Sequence, residues 1–400
     1  MRVIILYNTS WYVYLLRRNL IRALQHAGCD VTVVAPPDGY TDRVKQLGVA
    51  FAPISLSPSS AHPINELCTV VELHKVLSRL KPDAVLSFTI KCNLYAGLCQ
   101  RLQSYRLIAN VSGLGETFTQ PGILRIVVKT LYRMSLGKSH RIFFQNSEDR
   151  ELCVTSKLVP ARNSEVIPGS GVDTIYFTPV TKRSSPSRTF LMFGRLLPQK
   201  GFQHFLEAAR ILRAELGDIV HFWILGTPDV ERAESLKLLS SIREAHGNGT
   251  VRYLESSDNV LPIIHDSDVV VLPSTYNEGV PRSLLESLAC GKPIVTTDWK
   301  GCRETVQHGK NGYLVRPNDL DSLVRALRSL ATCPPEQLAK FGAASRLLAE
   351  QRFDERNVLD AYLRALDLLD VSKDQLSDQT THPAFIRPLD ATSANRAVGT

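Results

Sequence analysis

The chain has 400 residues, of which 44% are hydrophobic and 22% charged, with 47 Lys+Arg against 39 Asp+Glu. At roughly 150 residues per domain, two or three domains with real cores are expected, and the composition excludes a disordered or collagenous chain. No apolar run approaches the roughly 18 residues of a membrane-spanning helix, and the opening apolar stretch is too short for a secretory signal, so a cytosolic location is expected.

Eight cysteines are scattered without a C-x-x-C pair. That argues against a disulfide framework or a zinc site and for buried free thiols. The net charge of +8 is unevenly placed. Residues 1–180 carry 20 Lys+Arg and 12 Asp+Glu, while residues 181–400 carry 27 of each. The excess therefore lies wholly in the first half and suggests an anionic partner there, a polyanion or a membrane surface.

In chain order, short β-branched runs alternate with helix-length segments. Strands are expected at 3–7, 31–35, 84–88, 106–111 and 141–145, then at 189–193, 220–225, 250–254, 269–272 and 293–296. These are continuous apolar runs, as parallel strands buried on both faces require. Amphipathic stretches such as 202–216 and 281–290 lie between them. The pattern implies an α/β chain of two Rossmann-like, doubly wound domains facing a central cleft at the strand C-termini. Segment 180–188 is polar, with Pro and Ser, and reads as a linker. The expected division is a first domain at 1–180, a second at 181–353, a helix at 354–370 packing back on the first, and a disordered tail at 371–400.

The strongest motif is Asn277-Glu278-Gly279-Val280-Pro281-Arg282-Ser283-Leu284-Leu285-Glu286, following the strand at 269–272. Gly279 permits a sharp turn and Pro281 suits the first helical position. The helix start offers N–H groups and the positive dipole end to a phosphate. Glu278 and Glu286 can accept hydrogen bonds from sugar or ribose hydroxyls. A second loop, Phe193-Gly194-Arg195-Leu-Leu-Pro-Gln-Lys200-Gly201, also joins a strand end to a helix. Its two cations suit a diphosphate, Arg195 through a fork of donors and Lys200 as a point charge.

Together with Ala289-Cys290-Gly-Lys-Pro-Ile-Val295, Gly301-Cys302-Arg303-Glu304 and Gly309-Lys-Asn-Gly312, these motifs resemble a retaining glycosyltransferase of family 4 with the GT-B fold. The resemblance covers about residues 1–370 and is densest in the second half. It implies a nucleoside-diphosphate sugar, a UDP-sugar by family precedent, bound mainly by the second domain. Glu286 would hold the ribose, Arg195 and Lys200 would neutralise the diphosphate, and Glu278 with the amides of Gly279, Val280, Pro281 and Arg282 would contact the sugar and its phosphate. Glu278, Arg195 and Lys200 are the expected catalytic groups. The resemblance also implies retention by front-face attack, the leaving phosphate taking the acceptor's proton; Glu278 as a covalent nucleophile is the sharper alternative.

The first half is similar to hexosaminyltransferases that extend sugars on a polyprenyl diphosphate, through Val111-Ser-Gly113-Leu-Gly115-Glu116-Thr-Phe118 and Phe144-Gln-Asn-Ser-Glu-Asp149. A lipid-linked sugar acceptor in a bacterial surface-glycan pathway is the implied partner. Many relatives carry a histidine at the end of the fourth strand. Here Ser87-Phe88-Thr89-Ile90-Lys91-Cys92-Asn93 has none, and Lys91 and Asn93 are the polar candidates. A glycine pair usual after the first strand is replaced by Asn8-Thr9-Ser10, which has helix-capping capacity. Asn8, Thr9, Ser10, Lys91, Asn93, Gly113, Gly115 and Glu116 thus mark the expected acceptor region.

Residues 122–138 read as a helix with Arg125, Lys129 and Arg133 at four-residue spacing. Ile126, Val127, Leu131 and Leu136 lie beside that stripe, and Trp11, Tyr12, Tyr14, Arg17 and Arg18 add aromatic and basic groups. Such a face suits the anionic inner surface of a membrane, giving a cytoplasmic, peripheral protein. No basic tract interleaved with aromatics supports nucleic acid. Asp266-Ser267-Asp268 matches a metal-binding D-x-D pattern but precedes its strand, and Asp319-Leu320-Asp321 reads as a helix cap. With two cations for the diphosphate, no metal and no cofactor are expected. His26, His74, His140 and His204 read as structural. The alternatives are a UDP-N-acetylhexosamine 2-epimerase of the same fold and a catalytically silent scaffold subunit.

Overall fold

The computed structural model describes residues 1–57, 62–115, 123–181, 187–255 and 257–369, with the backbone alone at 123–125. The first domain holds strands β1 (Arg2–Leu6), β2 (Asp30–Ala35), β3 (Ala50–Pro53), β4 (Ala84–Phe88), β5 (Arg106–Val111), β6 (Arg141–Phe144) and β7 (Ser164–Val166). The second holds β8 (Arg188–Phe193), β9 (Val220–Leu225), β10 (Arg252–Leu254), β11 (Val269–Leu272), β12 (Ile294–Thr297) and β13 (Gly312–Val315). All pairings are parallel, in the orders β3-β2-β1-β4-β5-β6-β7 and β10-β9-β8-β11-β12-β13. β4 is buried at every position and so is β8, the double-sided burial that their unbroken apolar runs anticipated.

Helices α1 (Ser10–His26), α2 (Thr41–Lys45), α3 (Pro63–Leu80), α4 (Ile90–Cys99), α5 (Ile123–Leu136) and α6 (Ser147–Thr155) surround the first sheet. Around the second are α7 (Phe202–Leu216), α8 (Ala233–Gly247), α9 (Leu261–Asp266), α10 (Arg282–Ala289), α11 (Leu320–Thr332) and α12 (Pro335–Leu348). Both sheets reverse their strand order beside a central strand, at β1/β4 and β8/β11. Loops leaving those strand ends diverge, which opens a crevice there.

The last helix, α13 (Glu355–Ala365), returns to the first domain. Val358, Leu359, Tyr362 and Leu363 join the core of Val3, Ile5, Ile21, Leu24 and Phe88. At roughly 1.5–3 kcal/mol per fully buried large apolar side chain, this docking is a substantial tie between the chain's end and its beginning. The two crossings between domains run side by side: Val172 N–H donates to Phe353 O at 2.8 Å and Glu355 N–H to Val172 O at 3.0 Å. Segment 182–186 and the tail from 370 lie outside the described residues. β3, β7 and β13 were not anticipated from the sequence.

Candidate active site

β8 and β11 end side by side, and their loops interlock. Gly201, at φ +86°, lies so close to Pro273 that a side chain there would strike the Pro273 carbonyl. The chain after β8 passes Gly194, at φ +145°, and folds into a short turn that buries Lys200. Lys200 Nζ sits 3.2 Å from both carboxylate oxygens of Glu278, so the two motifs meet in one charge cluster. Arg195 projects beside it. Burial disfavours the charged guanidinium, yet the combined pull of Tyr12, Tyr276 and Glu278 holds it above its ordinary value. It remains a cation throughout. Tyr12 belongs to α1, so the first domain faces this cluster directly.

α10 begins at Arg282, with Pro281 at the cap position rather than inside the helix. One turn on, the Glu286 side chain is 12% exposed, and its carboxylate lies 2.8 Å from Arg282 Nε. Burial raises the Glu286 carboxyl, and the Arg282 charge opposes that rise. Arg282 also donates to Gly171 O at 3.1 Å, tying Glu286 to the interdomain crossing. Gly279 N–H is occupied by Ser112 O at 2.7 Å, and Pro281 has no N–H. Among the described residues the amides of Val280, Arg282 and Ser283 at this helix start have no backbone acceptor; the first two belong to the expected set and Ser283 is an addition to it. Val280 is buried against Gly169.

The first domain grips this loop. Gly115 N–H donates to Asn277 O at 3.2 Å. Gly113, at φ +134°, leaves no room for a side chain against Asn277 and Glu278, and Gln145 fills the space a side chain on Gly279 would need. Lys300 and Asp149 form a 2.8 Å ion pair with Asp149 almost wholly buried, and Arg303 reaches Glu148 at 2.7 Å. On another side of the junction, Tyr40 and Arg43 bind Asp258. Gln145, Glu148, Asp149 and Arg303 stand in segments that the sequence marks only by resemblance to the family. That they meet is not visible in either segment alone.

Several expected acceptor residues are otherwise engaged. Ser10 is fully buried and donates to Pro36 O at 2.9 Å. Asn93 is fully buried between Ser87 Oγ at 2.7 Å and Asn110 O at 2.8 Å. Both are internal braces, because each is the local partner that a strand end would otherwise lack. Thr9 caps α1 through Tyr12 N–H at 3.2 Å. Lys91 pairs with Glu66 at 2.7 Å. Gly113 and Gly115 touch the loop carrying Asn277 and Glu278, and Asn8 lies just past the end of β1. Glu116 lies outside the described residues, as does the Arg125 side chain.

On α5, Ile126 and Val127 are exposed as expected, but Leu136 is fully buried and Leu131 packs against the core. Lys129 is half-buried, and Arg133 turns to the carbonyls of Lys157 and Ser156 at 3.0 and 3.4 Å. Arg17 is buried over the Phe88 ring, and Trp11 and Tyr14 pack on Tyr40. Arg17, Trp11 and Tyr14 therefore pack within the first domain rather than forming an outer basic face. Asp268 accepts from Thr189 N–H at 2.8 Å, stapling β8 to β11 at the end remote from the cleft. Among the described residues no group of three His, Cys, Asp or Glu is placed to hold a metal. Burial pushes the Cys92, Cys153, Cys290 and Cys302 thiols up to about 12, which leaves them unreactive.

A family model described as "Glycosyl transferases group 1" matches residues 178–347, and one described as "Glycosyl transferase 4-like" matches residues 2–146. The chain belongs to these glycosyltransferases, and its two domains form the GT-B fold. It is 29% identical to the N,N'-diacetylbacillosaminyl-diphospho-undecaprenol alpha-1,3-N-acetylgalactosaminyltransferase of Campylobacter jejuni, over 92% of this chain and 98% of the relative. Identity to the Escherichia coli UDP-Gal:alpha-D-GlcNAc-diphosphoundecaprenol alpha-1,3-galactosyltransferase is 28%, over 66% of this chain and 70% of the relative. Anabaena HepE, solved with UDP and glucose, superposes with a TM-score of 0.77 at 18% identity, over 92% of this chain and all of that one. The protein is a nucleotide-sugar-dependent glycosyltransferase.

Proposed function

We propose that the protein transfers a hexose or N-acetylhexosamine from a UDP-sugar, with retention, to a sugar on a polyprenyl diphosphate in a bacterial surface-glycan pathway. The carrying observation is the Arg195–Lys200–Glu278 cluster at the ends of β8 and β11. The two relatives named for diphospho-undecaprenol substrates support the acceptor class, and the UDP complexes of HepE support the donor class.

In this reading the bond from the sugar's anomeric carbon to the β-phosphate breaks, its electron pair passing to a phosphate oxygen held by Arg195 and Lys200. The acceptor hydroxyl oxygen bonds to that carbon on the same face, and its proton passes to the departing phosphate. Charge developing on the phosphate strengthens both cationic contacts, so they lower the barrier as well as bind the donor. Two resident cations supply the positive charge this step needs, and the reading includes no metal. Glu278 orients the sugar, and Glu286 accepts from the ribose.

Among the described residues no helix is long and apolar enough to cross a membrane. Ile126, Val127 and Met134 on α5 and Ile64, Leu67 and Val71 on α3 are exposed. With Lys129, Arg133 and the excess charge of the first half, they would rest the protein on the anionic inner face of the membrane. The deciding experiment incubates the protein with a panel of UDP-sugars and lipid-diphosphate-linked sugars. Release of UDP with extension of one acceptor is expected; no donor binding and no transfer would overturn the reading.

A further inference from the structure

Glu286 is held by one arginine, and that arginine is held by the crossings between the domains. Arg282 Nε donates to Glu286 Oε1 at 2.8 Å. Its Nη1 donates to Gly171 O at 3.1 Å and to Ser170 Oγ at 3.5 Å. Gly171, at φ +69°, is pressed so closely on the second crossing that a side chain there would strike the Glu355 backbone. Glu355 in turn accepts from Asn19 Nδ2 of α1, which also donates to Asp173 Oδ2 at 3.2 Å. Arg282 and Glu355 line a common cavity of about 20 Å³, room for a single water. One guanidinium thus joins Glu286 to both crossings and, through them, to the first domain.

Helix stability does not account for this arginine. It is the first residue of α10, whose first turn holds no acid. A cation there opposes the positive end of the helix dipole. A cation four residues before a carboxylate is also the weaker order for such a pair. A local rule broken beside a binding group points to function. Accepting from a hydroxyl requires an ionised carboxylate. Burial pushes the Glu286 carboxyl up towards the protonated form, and the Arg282 charge opposes that rise. With Oε1 taken by Arg282, Oε2 is the oxygen left for a ligand hydroxyl, on a side chain that retains 12% exposure.

We propose that Arg282 is a positioning residue for the nucleotide: its side chain aims the Glu286 carboxylate at the ribose and fixes that aim to the crossing between the domains. A neutral side chain of similar length would leave the carboxylate free to turn. The proposal rests on the nucleotide-sugar reading above, in which Glu286 accepts from the ribose.

The test compares calorimetric affinities for UDP and for 2′,3′-dideoxy-UDP, which lacks the hydroxyls that Glu286 would meet. Wild type should bind UDP on the order of 10–100-fold more tightly than the analogue, the range of one hydrogen bond to a charged group. Arg282→Met should lose most of that preference, weakening for UDP while holding the analogue as wild type does. Arg282→Lys keeps a cation beside Glu286 without the fork of donors and should restore part of it. In transfer assays the loss should raise KM with kcat little changed. Wild-type UDP affinity in Arg282→Met would overturn the proposal, and so would equal losses for UDP and the analogue, the pattern of a purely structural arginine. If the methionine variant does not fold, the lysine variant carries the same comparison, with a loss confined to UDP expected. A wild-type protein that binds no UDP, or binds UDP and the analogue alike, would instead overturn the reading beneath it, so the two failures are distinct.

Discussion

At the ends of β8 and β11 the second domain presents charged side chains that bind one another or face the cleft: Arg195, Lys200, Glu278 and, one helical turn on, Glu286. At the matching ends of β1 and β4 the first domain turns its polar side chains inward. Ser10, Asn93 and Lys91 all bond within it. The half of the chain with no net charge thus concentrates a few ions where a diphosphate would lie, while the half with the whole excess of +8 spreads its cations elsewhere. Anion binding in a cleft depends on placement in a low-dielectric setting; net charge governs what approaches from a distance.

If that contrast is right, the first domain contributes mainly by clasping the second. The largest expected effect follows from breaking the clasp at its most buried ion pair. Lys300→Ala leaves Asp149 buried and unpaired, which should cost about 3–5 kcal/mol of stability in urea unfolding, and replacing both partners by Met and Leu should recover part of it. Next comes Arg195→Ala, expected to lower turnover on the order of 10²–10³ with little change in melting temperature. A near wild-type rate would remove Arg195 from the chemistry and weaken the contrast.

Glu355 sharpens the comparison at the hinge. Burial, reinforced by the nearby Asp173 charge, holds its carboxyl up to about 7 from an ordinary 4.5, against opposition from Arg282 and Asn19. A raised carboxyl favours the protonated form in the folded state, so its penalty is absent below about 4.5 and complete above about 7. Glu355→Gln should therefore leave stability unchanged at pH 4 and increase it progressively towards pH 8, by up to ~3 kcal/mol. A flat difference across that range would show that the group does not titrate there. The smallest effect is expected at the exposed Arg43–Asp258 pair, where Asp258→Ala should cost about 0.2–1 kcal/mol and lose even that at high salt.

What was legible in the sequence follows from what each element must bury. The inner strands β1, β4, β8, β9 and β11 are covered on both faces and flanked by neighbours, so they read as unbroken apolar runs. Strands β3, β7 and β13 lie at sheet edges or start with glycine. Ala-Phe-Ala-Pro, Ser-Glu-Val and Gly-Tyr-Leu-Val carry no such run, because one neighbour suffices to hold them. Helix α7 matched its expected bounds because its apolar spacing is complete, and α5 is about four turns of mixed exposure that its spacing could not orient.

The same rule divides the site. By themselves, the residues of the second half singled out Arg195, Lys200, Glu278 and Glu286 as candidates for nucleotide-sugar chemistry, since each lies within a few positions of a strand end or helix start that fixes its place. Only the tertiary structure decided which first-half residues reach that chemistry. Gln145, Asp149 and Tyr12 are brought there by contacts between segments more than a hundred residues apart, and Ser10 and Asn93 are taken away by partners 26 and 17 residues distant. A motif encodes local geometry, but whether a polar side chain faces a ligand or its own fold depends on which hydrogen-bond partner arrives from elsewhere in the chain.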